Sequence, residues 1–185
     1  MLDSMFKFME KYGTLGEHER KIVLEANKSR KFSKREIVRS FADEDSRSFF
    51  ILKGLAYSSV MVGEQETVVD FYFSGSPVLV PQSITNPTIT YQLMCLEDSE
   101  IAVGRAEMVE KLIGQSPQFE KICRLFSEEK IVEYFEFQTS LKAMKAGARV
   151  EFIQKIRPGL IDKVPHFLFA NYLGISPETL SRVRS

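Results

Sequence analysis

The spacing of apolar residues along the chain changes character three times. Residues 3–12 and 17–27 carry them at helical intervals, and Gly13 and Gly16 separate the two runs. From Arg30 onward the pattern becomes that of strands. Ile37–Phe41, Ser48–Leu52, Leu55–Val62, Glu66–Phe73, Val78–Pro81, Ile89–Leu96 and Glu100–Val103 are short runs rich in Val, Ile, Tyr, Phe and Thr. Turn formers lie between them, among them Asp43-Glu44-Asp45, Gly54, Gly63-Glu64, Ser74-Gly75-Ser76-Pro77, Asn86-Pro87 and Asp98-Ser99. Short strands with regular turns predict an antiparallel roll or sandwich and argue against a parallel sheet.

After Arg105 the helical interval returns. Ser116 can cap a helix whose first turn holds Pro117, and no further Gly or Pro occurs before Leu141. Phe119, Cys123, Phe126, Tyr134, Phe137 and Leu141 form the apolar stripe, which Ile122, Leu125, Ile131, Val132 and Phe135 widen. Such a helix of roughly 25 residues is ~37 Å long, more than a small roll can cover. A second copy of the same helix is the simplest cover, so the six stripe residues are the expected dimer interface. From Gly147 the pattern predicts short helices near 147–157, 166–173 and 177–184. The expected fold is α+β: N-terminal helices, an antiparallel β-roll of the jelly-roll (double-stranded β-helix) type, a long dimerisation helix and a small C-terminal helix-turn-helix. The domains are expected at 1–115, 116–141 and 142–185.

Composition narrows the setting. With 44% hydrophobic and 27% charged residues the chain is of globular type, and fifteen Phe against no Trp make Phe a main core residue. No stretch reaches the ~20 apolar residues of a membrane helix, and the start Met1-Leu2-Asp3-Ser4 lacks a secretory n-region and h-region. A cytoplasmic protein without membrane attachment is expected. Cys95 and Cys123 have neither CxxC nor Cys/His spacing, so neither a metal site nor a disulfide framework is expected. No G-x-S-x-G, Walker loop, HExxH or Ser/His/Asp set occurs, so no catalytic residue is assigned. The charge is neutral overall but uneven. From Lys142 onward eight basic residues face three acids, a net +5 that leaves −5 for the rest. A basic end on an acidic body suits a chain of which one end meets a polyanion.

The basic end contains the most informative segment. Gly174 follows Leu173 where a left-handed residue would stop a helix, and Ser176 can cap the next one with Pro177 at its first position. Three residues between helices force a steep crossing, and Ala170 permits close approach. Leu180 and Val183 are expected to face the core. Glu178, Ser181 and Arg182, at i, i+3 and i+4, share the opposite face. This is the plan of a helix-turn-helix whose second helix enters the major groove of double-stranded DNA. Arg182 can donate to guanine, Glu178 can accept from cytosine, and Ser181 lets the helix approach the base edges. Ser176, Thr179 and Arg184 suit phosphate contacts.

On these residues the chain resembles the Crp/Fnr superfamily of bacterial transcription regulators. The resemblance also rests on Phe50-Ile51-Leu52-Lys53-Gly54-Leu55, Gly63-Glu64-Gln65-Glu66 and Val69-Asp70-Phe71-Tyr72-Phe73 in the roll, and on Leu173–Arg182 at the C-terminus. It implies a cyclic-nucleotide-binding-like roll as sensor, a homodimer on a two-fold symmetric DNA site with G·C pairs read by Glu178 and Arg182, and RNA polymerase as a further partner. The Glu178, Ser181, Arg182 triplet resembles the reading face of the Fnr-type branch.

Two departures qualify what the resemblance implies. Members that bind cyclic nucleotide carry a Gly-Glu-Leu-type cassette followed by an Arg that neutralises the phosphate. Here Phe73 to Thr90 contains no Glu, Arg or Lys, so a phosphate would be desolvated without a counter-charge. Cyclic AMP and GMP are therefore not expected as effectors, and no cofactor is assigned. A less charged ligand would have Gln82, Ser83, Thr88 and Thr90 near it, although ordinary loop polarity is the better explanation of these four. Two Cys are too few for an iron–sulfur cluster within one subunit. Second, the sequence reaches Ser185 directly after the recognition segment, so no wing contacts to the DNA backbone are expected. The alternative function is a ligand-binding or protein-interaction module that keeps a decayed helix-turn-helix.

Overall fold

The computed structural model describes residues 2–43, 47–79 and 90–184. Two helices, α1 (Asp3–Met9) and α2 (Glu17–Ala26), lead into strands β1 (Asn27–Phe32), β2 (Ile37–Arg39), β3 (Arg47–Lys53), β4 (Leu55–Val62), β5 (Gln65–Phe73), β6 (Ser76–Pro77), β7 (Tyr91–Cys95) and β8 (Ser99–Arg105). Then follow α3 (Ala106–Gln115), α4 (Pro117–Ala143), α5 (Ala146–Ile156), α6 (Leu160–Lys163), α7 (His166–Tyr172) and α8 (Pro177–Arg184). The strands form two antiparallel sheets, ordered β1-β8-β3-β6 and β2-β7-β4-β5. This is the α+β roll that the strand-length runs predict.

Alternation along β3 and β8 builds two apolar layers from one sheet. Phe49 and Ile51 point between the sheets, where they meet Val38, Ala56, Leu93 and Ile101. Phe50 and Ala102 point the other way, onto Leu2, Phe6, Val23, Leu112, Phe119 and Ile122 from the helices. Both faces of the first sheet are thus covered, which is why Phe49-Phe50-Ile51-Leu52 reads as a continuous apolar run. Gly54 carries the chain from β3 of one sheet to β4 of the other at φ +108°, and a Cβ there would stand 2.8 Å from the Ser99 Cα, so this connection admits only glycine.

Two boundaries differ from the sequence reading. Strand β1, Asn27-Lys28-Ser29-Arg30-Lys31-Phe32, is not legible as a strand because it is polar. It sits at a sheet edge and pairs only with β8, so solvated side chains suffice there. The strand expected at Val78–Pro81 is instead the two-residue β6; Val78 and Leu79 lie beyond it, and residues 80 and 81 are outside the described residues. Pro77 has no N–H for a longer ladder, which suits its edge position against β3.

The helix α4 begins as expected. The Phe119 N–H donates to the Ser116 hydroxyl at 3.1 Å, and the helix then runs 27 residues, or ~40 Å. The chain divides into two compact units, 1–127 and 128–185, and the division falls inside α4. No helix among the described residues is long and apolar enough to cross a membrane.

Ile51 is fully buried at the centre of the inter-sheet layer. Ile51→Ala should lower unfolding stability by about 2–5 kcal/mol, measured by urea titration with circular dichroism.

Candidate nucleic-acid interface

In the second unit, Val150, Ile153, Leu160, Ile161, Leu168, Phe169, Ala170, Tyr172, Leu173 and Leu180 make the apolar interior. Ala170 and Leu180 are completely buried, so the small residue gives the close helix approach that its size predicts. Val183 does not join them. It stays 38% exposed, with its Cγ1 on the side of Gly147.

The turn between α7 and α8 is closed by the backbone itself. The Ile175 N–H donates to the Ala170 carbonyl at 3.0 Å and the Gly174 N–H to the Asn171 carbonyl at 3.0 Å. This 6→1 and 5→2 pair is a Schellman motif, which requires a left-handed residue at its centre. Gly174 fills that place at φ +63°. The Arg149 guanidinium on α5 adds two further bonds, to the Leu173 carbonyl at 3.2 Å and the Met144 carbonyl at 3.0 Å. It thereby places a cation at the negative end of α7. Sequence reading assigned Arg149 only to the basic excess; no periodicity links it to a carbonyl 24 positions away.

Ser176 caps α8 as its position predicts. Its hydroxyl accepts from the Thr179 N–H at 3.2 Å and lies 3.1 Å from the Thr179 hydroxyl, to which Arg182 also donates at 3.3 Å. A hydrogen bond from the Ser176 hydroxyl, ahead of one from its own backbone N–H, holds the Glu178 carboxyl below the usual carboxylate range. The serine has one proton, so Thr179 and Glu178 compete for it. Glu178, Ser181 and Arg182 are all exposed on one side of α8, as their spacing predicts. Arg184 is paired with Asp162 at 3.7 Å, an exposed contact of little strength.

The stripe of α4 is distributed differently from expectation. Phe119 and Phe126 are buried by the chain's own first unit, with the Phe126 ring edge-on to Phe8 at 5.0 Å. Phe137 is stacked on Tyr172 at 4.9 Å within the second unit. Cys123, Tyr134 and Leu141 are half-buried. Within the chain, Phe8 of α1 packs on Phe126 and Tyr172 of α7 on Phe137. The large apolar residues of α4 that remain exposed, among the described residues, are Ile131, Val132 and Phe135, at 67%, 56% and 72%.

Of the four ligand candidates, Gln82, Ser83 and Thr88 lie outside the described residues, and Thr90 is exposed. Among the described residues no group of three His, Cys, Asp or Glu is placed to hold a metal. Burial pushes the Cys123 thiol up to about 11, and it pushes that of Cys95 up as well. Both are therefore thiols at neutral pH, without the thiolate that oxidant sensing uses.

No family model matches the chain, and no curated protein matches it in sequence. Solved structures do. FixK2 from Bradyrhizobium japonicum superposes with a TM-score of 0.70 at 12% identity, over 85% of this chain and 82% of that one. The c-di-GMP-responsive global regulator CLP of Xanthomonas campestris does so at 0.70 and 16% identity, over 91% and 89%. A protein assigned to the Crp/Fnr family from Eubacterium rectale gives 0.69 and 15%, over 91% and 82%. At such identities the likeness is one of fold, and the fold is Crp/Fnr-like.

Gly174→Ala should destabilise the protein by about 1–2 kcal/mol, the penalty of a left-handed Cβ, since no atom lies closer than 3.9 Å to block it. Ser176→Ala should lose about 1 kcal/mol of capping and raise the Glu178 pKa toward its ordinary value, read by carboxyl NMR titration. An unmoved pKa would show that the hydroxyl does not hold that carboxylate.

Proposed function

We propose that the chain is a homodimeric, DNA-binding transcription regulator that reads a palindromic site without control by cyclic nucleotide. The observation that carries this reading is the exposed face of α8, where Glu178, Ser181 and Arg182 lie beside a turn fixed by Gly174, Arg149 and the Ser176 cap. A rigid turn supports base readout because bidentate pairs tolerate little displacement. Glu178, kept ionised, suits acceptance from cytosine, and Arg182 suits donation to guanine. Lys142, Lys145, Lys155, Lys163 and Arg182 are exposed on the basic unit, which favours the phosphate attraction that precedes readout. Ser176, Thr179 and Arg184 are assigned to phosphates; the weak Asp162 pair can yield Arg184 to a stronger anion.

The second copy is assigned to α4 through Ile131, Val132 and Phe135, neighbours at i, i+1 and i+4 that a water-facing helix would not choose. A two-fold dimer then presents two α8 helices to half-sites one turn of DNA apart. Exclusion of cyclic nucleotide rests on the chemistry of residues 73–90, which offer no counter-charge. The likeness in fold to regulators supports a non-enzymatic role.

Binding is tested by fluorescence anisotropy against a randomised palindrome library at several salt concentrations. Arg182→Ala should cost roughly 1–3 kcal/mol on the selected site and flatten preference at one base pair. Equal weakening on random DNA would make Arg182 a phosphate contact, and no retention even at low salt would favour the interaction-module reading. Phe135→Glu should give monomers in native mass spectrometry that lose palindrome affinity but keep weak low-salt binding. A persistent dimer would remove α4 as the interface.

A further inference from the structure

A cavity of about 210 Å³ opens in the first unit between α1, the helix-facing side of β3 and the beginnings of α3 and α4. Five phenylalanines border it, Phe8, Phe49, Phe50, Phe119 and Phe126, together with Met5, Met9 and Met108. Protein interiors rarely leave voids larger than one water. Thioether chains are also the ones best able to collapse into a gap, yet this space stays open with three methionines in its wall.

The chemistry of the wall selects the occupant. None of the lining residues carries a charge, and Cys123 is a neutral thiol. The polar groups are Asn27 and Ser48, side by side against Gly104, and the Asn27 amide already donates to the Val23 carbonyl at 2.8 Å. The wall offers water few partners although the cavity is partly open to solvent, and apolar cavities of ~150 Å³ admit benzene. The rings are already set edge-on, Phe8 to Phe126 at 5.0 Å and Phe8 to Phe50 at 5.7 Å. That ring geometry, in a wall that also carries methionines, favours an aromatic guest over an alkyl chain.

We propose that this cavity is a binding site for a small uncharged aromatic molecule, one ring with a small substituent, held between α1 and α4. The interior between the sheets is filled by Val38, Ile51, Leu93 and Ile101, and Phe49 and Val78 border both it and the cavity. The site does not depend on the DNA-binding reading, and its test involves no DNA.

Thermal unfolding of the full chain with toluene, and with benzoate as a charged control of similar size, decides the matter. Toluene should raise the melting temperature with saturation, and benzoate should not. Val109→Phe and Cys123→Phe place a ring in the space and should abolish the toluene shift while melting no lower than the parent chain by more than a few degrees. A non-saturating response, an equal benzoate effect, or a shift that survives in a folded filling variant would overturn the proposal. Should both variants fail to fold, iodobenzene soaked into crystals of the parent chain gives the answer by anomalous scattering. Iodine density among Phe8, Phe119 and Phe126 supports the site, and its absence overturns it.

Discussion

The apolar stripe of α4 is longer than any single layer that can cover it, and the arrangement of the chain follows from how that stripe is divided. Its first turns are covered by α1, with Phe119 and Ile122 in the layer beneath Phe50 and Ala102. Further on, Phe137 is covered by Tyr172 of α7. Between these two settings Ile131, Val132 and Phe135 have no such cover and remain exposed. One continuous helix thus contributes to two separate interiors and leaves an open apolar interval. Burying three large side chains is worth several kcal/mol at ~25 cal/mol per Å², which is why a second copy is the proposed occupant.

Local chemistry was the part of the sequence easiest to read. Ser116 caps α4, Ser176 caps α8 and Gly174 turns left-handed, because each depends only on neighbours within a few positions. The central strands were equally plain, since Phe49-Phe50-Ile51 must serve two layers. What escaped was decided at a distance. The polar β1 is a strand only because β8 pairs with it, and Arg149 meets Leu173 only because α5 crosses the end of α7. The sharing of the α4 stripe escaped for the same reason: periodicity shows which positions want cover, not which element provides it.

Within the second unit, stability and the candidate reading function are held by different atoms. The Schellman turn uses backbone groups, the interior uses Phe169, Leu173 and Leu180, and Arg149 uses carbonyls. Glu178, Ser181 and Arg182 lie outside all three sets on the exposed side of α8. The link between the two is the Ser176 hydroxyl, which joins the cap to the charge state of Glu178.

The open edge of the first sheet bears on how copies of the chain can meet. Strand β1 presents Lys28, Arg30 and Lys31 along that edge, with Ser29 bonded to Glu100 of β8 at 2.5 Å. Exposed strand edges invite strand-by-strand growth into aggregates, and cations set along them repel an identical edge. A chain with a sticky helical interval therefore carries a guarded sheet, so crowding at high expression should favour finite helix-mediated pairs over open-ended β assembly.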